Sequence, residues 1–133
     1  DLYTWLFYSS FVPFYKMERF ITESNRKYKY GFIASDFSKP IKNSKQSIQY
    51  LLDNTTENDN VILVGKNIQI CLEQYIEGEI PNNWTVMNKT NHLELLNLYR
   101  EIDTLIQDSF YESCSNVMIE GYFYGCKLMS TFV

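Results

Sequence analysis

The clearest pattern along the chain is a two-residue alternation over 28–34, where apolar residues, mostly aromatic, occupy every second position. This spacing places side chains on opposite faces of an extended backbone and predicts a strand. A short β-branched apolar run at 61–64, bounded by turn signals, predicts a second strand that is covered on both faces. Residues 84–87 indicate a third short strand. The first apolar stretch, 2–8, fits either a buried strand or a short helix.

Apolar residues at spacings of three and four predict helices in the rest of the chain. Capping boxes open two of these helices, Asn43 with Gln46 and Asn91 with Glu94. The helical pattern is interrupted near 113–116. The predicted helices cover 13–25, 43–53, 67–77, 91–110 and 117–132.

The order of these elements favours a helix-rich α/β or α+β fold. We expect a small sheet of two to four short strands with packed helices and a long C-terminal helical region. The chain of 133 residues has the size of one compact domain, residues 1–133, and leaves little room for a second.

Composition excludes several classes of protein. Apolar residues make up 45% of the chain and charged residues 21%, which excludes intrinsic disorder. Phe, Ile, Asn, Lys and Tyr dominate, a bias typical of AT-rich genes. The inferred source is a low-GC bacterium, its phage or mobile element, or an AT-rich virus. The longest apolar run, at 2–15, is too short to span a membrane.

Cysteine and histidine are too few and too scattered for a metal site or a disulfide framework. Cys71, Cys114 and Cys126 are widely spaced, no CxxC pair occurs, and the chain has a single histidine. Three free thiols fit a reducing compartment. We therefore expect a cytoplasmic protein, in the host cytoplasm if it is viral, with no metal and no cofactor.

Charge is distributed unevenly along the chain, whose net charge is −4. Residues 1–66 carry nine basic and seven acidic side chains, whereas residues 67–133 carry three basic and nine acidic ones. This polarity suggests two faces with different partners, or association of one end with the other in a homodimer. Gly121 and Gly125 would form a smooth strip for close helix contact, within the domain or between subunits.

Gly65 and Lys66 stand between a predicted strand and a predicted helix, where a phosphate-binding loop would lie. The full motif is absent, because Asn60 and Asn67 occupy the positions that require glycine and serine or threonine. The N–H groups that begin the helix could still hold an anion, with Lys66 as a contact. An ordinary strand-to-helix turn is the alternative.

Basic and aromatic residues interleave over 26–32. Arg26, Lys27 and Lys29 would contact a phosphate backbone, and the aromatic side chains would form a stacking platform for single-stranded nucleic acid. The alternative is that the aromatic side chains form the core face of the strand while the lysines face water.

Trp84 follows a turn-rich stretch and is expected to be exposed beside an acidic cluster. Tryptophan and tyrosine supply much of the binding energy of protein interfaces. In the alternative, Trp84 is a core residue of the third strand. The predicted binding surface faces a basic protein partner and consists of Trp84, Tyr75, Glu73, Glu77 and Glu79.

No catalytic motif is present, so the sequence predicts a small non-enzymatic interaction protein, a regulator or inhibitor that acts by binding a partner. One alternative is a small α/β ligand-binding domain that holds a nucleotide or other anion near Gly65–Asn67 or in the loop Ser35–Lys39. Another is a nucleic-acid-binding protein that uses residues 26–32, although nucleic acid is the less favoured partner.

Overall fold

The computed structural model describes residues 26–38, 43–107 and 116–130. Strands and helices alternate along these ranges without exception. The elements are β1 (Tyr28–Asp36), α1 (Ser44–Asn54), β2 (Val61–Lys66), α2 (Ile68–Tyr75), β3 (Trp84–Met87), α3 (His92–Tyr99), β4 (Ile102–Ile106), α4 (Asn116–Phe123) and β5 (Lys127–Met129).

The five strands form one sheet in the order β3-β2-β1-β4-β5, and every neighbouring pair is parallel. Parallel neighbours need a crossover connection, which each intervening helix supplies. The chain first moves outward from β1 to β3 and then returns to the other side of β1. Because crossovers are right-handed, this reversal places helices on both faces of the sheet and produces a doubly wound, Rossmann-like α/β fold.

Each face of the sheet has its own buried cluster. Under α1 and α2, Phe32 and Leu63 pack against Ile48 and Leu72. Under α3 and α4, the cluster includes Ile33, Ile62, Val64, Tyr99 and Leu105. Burial of each large apolar side chain contributes about 1.5–3 kcal/mol to the free energy of folding. Because the central strands carry such side chains on both faces, a helical layer is needed on each face to bury them.

The first half of the described chain confirms most of the predicted elements. All three predicted strands form, and the helices predicted at 43–53 and 67–77 correspond to α1 and α2. The Asn91 side chain accepts a hydrogen bond from the Glu94 N–H at 2.8 Å, as its capping box predicts. The other capping box is wrong, because Asn43 has a left-handed backbone and makes no side-chain cap.

The predicted small sheet with a long C-terminal helical region is wrong. The helix predicted at 91–110 ends at Tyr99, and β4 follows within three residues. The helix predicted at 117–132 ends at Phe123, because the chain turns at Gly125 with φ 90° and then forms β5. The predictions for 2–8 and 13–25, and the interruption predicted at 113–115, lie outside the described residues.

Within the described ranges, the helices are too short to cross a bilayer.

Candidate ligand cleft at the carboxyl edge of the sheet

The reversal of strand order lies at β1, the central strand. From β1 the chain continues to β2 on one side, whereas from β4 it continues to β5 on the other side. The loops after β1 and β4 therefore diverge at the carboxyl edge of the sheet. Open α/β sheets bind their ligands in the crevice at this edge. A ligand site is therefore expected at the carboxyl ends of the strands.

A cavity of about 270 Å³ opens at this edge, on the face covered by α3 and α4. Its walls include the ends of β1 and β2, the loop after β3, and the first turn of α4. A second cavity, of about 560 Å³, adjoins it over the start of α2. The two share Lys66, Asn88 and Lys89, so they form one continuous cleft, here called the carboxyl-edge cleft.

Gly65 allows β1 and β2 to meet closely at the floor of the cleft. Its φ is 155°, and a Cβ atom there would collide with the carbonyl oxygen of Ala34 and lie 2.5 Å from Cε2 of Phe37. The N–H of Phe37 donates to the carbonyl oxygen of Lys66 at 2.9 Å. The strand does not end at Gly65 but continues through Lys66, which places that side chain at the mouth of the cleft.

Asp36 organises the loops on either side of this joint. Its carboxylate accepts hydrogen bonds from the Ser38 hydroxyl at 2.7 Å, the Ser38 N–H at 2.9 Å and the Asn67 amide at 2.9 Å. Ser38 first, and then Asn67, lower the pKa of Asp36 from its usual 3.8 to about 2. The carboxylate is therefore ionised at neutral pH and holds the turn before α2 in place.

Two lysines give the cleft its positive charge. Lys66 and Lys89 are exposed, and neither ammonium lies within ion-pairing distance of a carboxylate in the described part of the chain. The side-chain amide of Asn88 lies beside them, whereas the Thr90 hydroxyl in the same lining donates to the Glu94 carboxylate at 2.9 Å. Two ammonium groups and an amide in a concave site favour an anionic ligand.

A buried carboxyl group lies on α4, the helix whose Val117 lines the cleft. The Oε2 atom of Glu120 and the hydroxyl oxygen of Tyr99 are both buried, and neither has a hydrogen-bond partner among the described residues. Burial raises the pKa of Glu120, and its electrostatic interaction with His92 opposes that rise. Sequence reasoning missed Glu120, because its burial depends on the packing of α4 against α3.

The acidic binding surface predicted around Trp84 is not assembled as expected. Trp84 is 7% exposed and belongs to the core beneath α2, so its predicted exposure is wrong. Tyr75 is half-buried against the same core, while Glu73, Glu77 and Glu79 are exposed. Glu77 lies beyond the end of α2, so it does not share a helical face with Glu73.

The basic and aromatic segment before and along β1 has a structural role. Tyr28 and Phe32 are buried, which leaves no exposed stacking platform on this strand. Lys27 and Lys29 are exposed, and Lys29 pairs with Asp59 at 3.6 Å. These residues lie at the amino edge of the sheet, away from the carboxyl-edge cleft. The Arg26 guanidinium donates to three backbone carbonyl groups, those of Tyr99, Ile102 and Tyr124.

The two glycines predicted to form a helix strip are separated by the end of α4. Gly121 is helical, and a Cβ atom there would collide with Cδ1 of Leu105 in the same chain. Close packing inside the domain therefore accounts for Gly121. Gly125 lies in the following turn with φ 90°. The homodimer stays a prediction.

No family model and no curated protein matches the chain. The fold is similar to a solved structure, the C-terminal domain of a glycosyl transferase group 1 family protein (LpcC) from Francisella tularensis. The TM-score is 0.62 and the sequence identity 17%, and the match covers 84% of this chain and 67% of that chain. At this identity the likeness establishes the fold.

This comparison corrects the function predicted from the sequence. The fold is similar to that of a glycosyl transferase domain, so the predicted small non-enzymatic regulator or inhibitor of phage or viral origin is wrong. The prediction that the chain is not an enzyme is wrong for the same reason. Absence of a local catalytic motif misled the prediction, because this fold assembles its cleft from separate loops.

Proposed function

We propose that the chain is a glycosyltransferase domain whose carboxyl-edge cleft binds the phosphate groups of an activated sugar donor. One observation carries the proposal: two lysines without carboxylate partners in the described part line a cleft at the strand ends of a fold similar to a glycosyl transferase domain. Lys66 comes from the end of β2, and Lys89 from the loop after β3. Their convergence supports recognition of two or more phosphate oxygens.

The negative charge that develops on the leaving group during glycosyl transfer supports placing the donor phosphates beside Lys66 and Lys89. In glycosyl transfer, the bond between the anomeric carbon and the leaving-group oxygen breaks, and that oxygen keeps the electron pair. An acceptor hydroxyl forms the new bond to the anomeric carbon and loses its proton. Ammonium groups held beside the leaving phosphate stabilise the charge that develops on it. Lys66 and Lys89 would serve this role.

Helix orientation adds to the positive potential of the cleft. The helices α3 and α4 both begin at the carboxyl edge, because each follows a strand of the parallel sheet or its loop. Helix N-termini carry a partial positive charge and unpaired N–H groups. Val117, in the first turn of α4, lines the cleft, which brings that helix terminus close to a bound anion.

Calorimetric titration of the chain with UDP-glucose, GDP-mannose and ADP-glucose tests the proposal. We expect at least one of them to bind, and Lys66→Ala or Lys89→Ala to weaken its binding at least about tenfold. Lys27→Ala is the matched control, because Lys27 is an exposed lysine at the opposite edge of the sheet. Failure of all three sugar nucleotides to bind, or an equal loss of affinity in the control, would contradict the proposal.

We also propose that the domain works in the cytoplasm. The described cysteines, Cys71 and Cys126, are buried thiols that form no disulfide with each other, a condition that fits a reducing compartment. Fractionation of the source cells checks the location: the chain is expected in the cytoplasmic fraction, and recovery from an extracellular or membrane fraction would contradict it.

A further inference from the structure

A second concave site lies at the opposite, amino edge of the sheet. This groove, here called the amino-edge groove, has a volume of about 490 Å³ and lies between the end of α1 and the turn that leads into β3. Its volume is within the usual range of small-molecule sites. Nothing in the proposed donor chemistry uses it, because the carboxyl-edge cleft lies at the other end of the strands.

The walls of the groove are half apolar and half polar. Leu52, Pro81 and Trp84 supply the apolar part, and the 7% of Trp84 that is exposed gives the lining an aromatic edge. The polar part consists of hydroxyl, amide and carboxylate groups from the turns after α1 and before β3. Within the described part of the chain, no lysine, arginine or histidine lines the groove, so its chemistry differs from that of the phosphate-binding cleft.

Hydrogen bonds make the groove rigid. The Asn83 amide donates to the carbonyl oxygens of Thr56 at 3.0 Å and Asp59 at 2.5 Å, which fixes the two turns against each other. The Thr55 hydroxyl donates to the carbonyl oxygen of Leu51 at 2.6 Å. These bonds hold the polar walls in one arrangement before any ligand arrives, which reduces the entropy lost on binding.

Two polar side chains in the groove remain available. The Asn82 amide and the Glu57 carboxylate are exposed, and neither makes a hydrogen bond to the described part of the chain. The amide both donates and accepts, whereas the carboxylate accepts only. A matching ligand therefore offers hydroxyl groups, which also donate and accept, together with apolar C–H surface for the Trp84 wall.

We propose that the amino-edge groove binds an uncharged oligosaccharide, which is held apart from the donor cleft on the opposite edge of the domain. The absence of cationic side chains in the lining disfavours phosphorylated ligands, and the equal share of polar surface disfavours a purely apolar ligand. The single carboxylate leaves a basic peptide as the competing occupant. The assignment rests on the groove lining and is independent of the proposed donor site.

Titration of the ¹⁵N-labelled chain with maltohexaose, cellohexaose and chitohexaose tests the proposal. We expect at least one of them to shift the side-chain amide signals of Asn82 and Asn83 and the indole signal of Trp84. Asn82→Ala should weaken this binding at least about tenfold, because it removes both a donor and an acceptor. Asn58→Ala is the matched control, an exposed asparagine of the neighbouring turn that does not line the groove.

Glu57→Gln distinguishes a sugar from a basic peptide. A neutral sugar should bind this variant within about threefold of the unchanged chain, because the amide keeps an acceptor oxygen. Hexalysine, if it were the better ligand, would lose its binding when the charge is removed. Absence of shifts at the groove with all three sugars, or stronger binding of hexalysine, would overturn the proposal. Asn82→Ala should still bind sugar nucleotides as the unchanged chain does. A loss of oligosaccharide binding in this variant therefore reports on the amino-edge groove alone and does not test the donor site.

Discussion

Asp36 shows how single side chains build the carboxyl-edge cleft. It is the last residue of β1, and its partners Ser38 and Asn67 come from two different loops. Asn67 itself has a left-handed backbone, with φ 66°, a conformation that asparagine tolerates better than most residues. The carboxylate thus connects the turn after β1 to the turn after β2 beside Lys66.

The low pKa of Asp36 makes its contribution to folding pH-dependent. Because the folded-state pKa lies below the unfolded value of 3.8, the ionised carboxylate stabilises the folded state fully above that value. This contribution is lost as the pH falls from about 4 through the folded-state pKa of about 2. The loops at the cleft are therefore expected to loosen only in acid.

Removal of the Ser38 hydroxyl should raise the pKa of Asp36 toward its usual value, and Asn67→Ala should raise it by less. The order follows from the causes of the shift, of which the Ser38 side chain is the largest. Carbon-13 NMR of the Asp36 carboxyl group across the acid range measures both variants. Ser35→Ala is the control, with an unchanged pKa. A larger effect of Asn67→Ala than of Ser38→Ala would contradict the assignment.

The joint between β1 and β2 depends on the absence of a side chain at Gly65. The register pairs Tyr30 through Ile33 with Val61 through Val64 and then shifts before Asp36 meets Lys66. Gly65 lies within this irregular stretch, beneath the Phe37 ring. The two elements can therefore keep their hydrogen bonds at the cleft floor only while this position stays small.

Gly65→Ala should destabilise the domain by about 3 kcal/mol or more, because both the φ of 155° and the contact with Ala34 are incompatible with a Cβ atom. Gly78→Ala is the matched control. Its φ of 90° also disfavours alanine, but a Cβ atom there meets no described atom within 4 Å, so we expect a loss of about 1 kcal/mol. Urea unfolding of both variants measures the difference. Equal losses would show that space at the joint is not limiting.

At the scale of the whole molecule, Arg26, just before β1, is linked to the β4–β5 side of the sheet, here called the second wing. Its guanidinium donates to the carbonyl oxygens of Tyr99 at 2.8 Å, Ile102 at 3.0 Å and Tyr124 at 2.7 Å. These groups belong to the end of α3, the start of β4 and the turn after α4. The Cys126 thiol donates to two of the same carbonyl oxygens, at 3.1 and 3.3 Å.

Arg26→Met should lower the free energy of unfolding by about 2–4 kcal/mol, because partly buried carbonyl groups lose a charged donor. Lys27→Met, at the neighbouring exposed position, should change it by no more than about 0.5 kcal/mol. Denaturant unfolding compares the two variants. The Arg26 link would be refuted by a loss no larger than that of the control.

Local pattern was sufficient for the elements whose own sequence carries a clear burial signal. The alternating side chains of β1, the apolar run of β2 and the amphipathic spacing of α1 and α2 each report burial directly. The candidate site was foreseen only at Lys66, since a lysine at a strand-to-helix turn is a local signal. Asn88 and Lys89 were missed, because they join the site from the loop after β3, far along the chain from Lys66.

By itself, the sequence determined that this chain buries alternating strands and helices from β1 to β3, because each of those segments carries its own periodicity. Only the tertiary structure decided the second wing. Ile102 and Ile106 are spaced as in a helix, yet β4 lies between β1 and β5, and its Leu105 and Ile106 are buried on opposite faces of the sheet, which erases the two-residue alternation of a strand. The same parallel pairing brings Lys66 and Lys89 to one edge, because parallel strands end on the same side of their sheet.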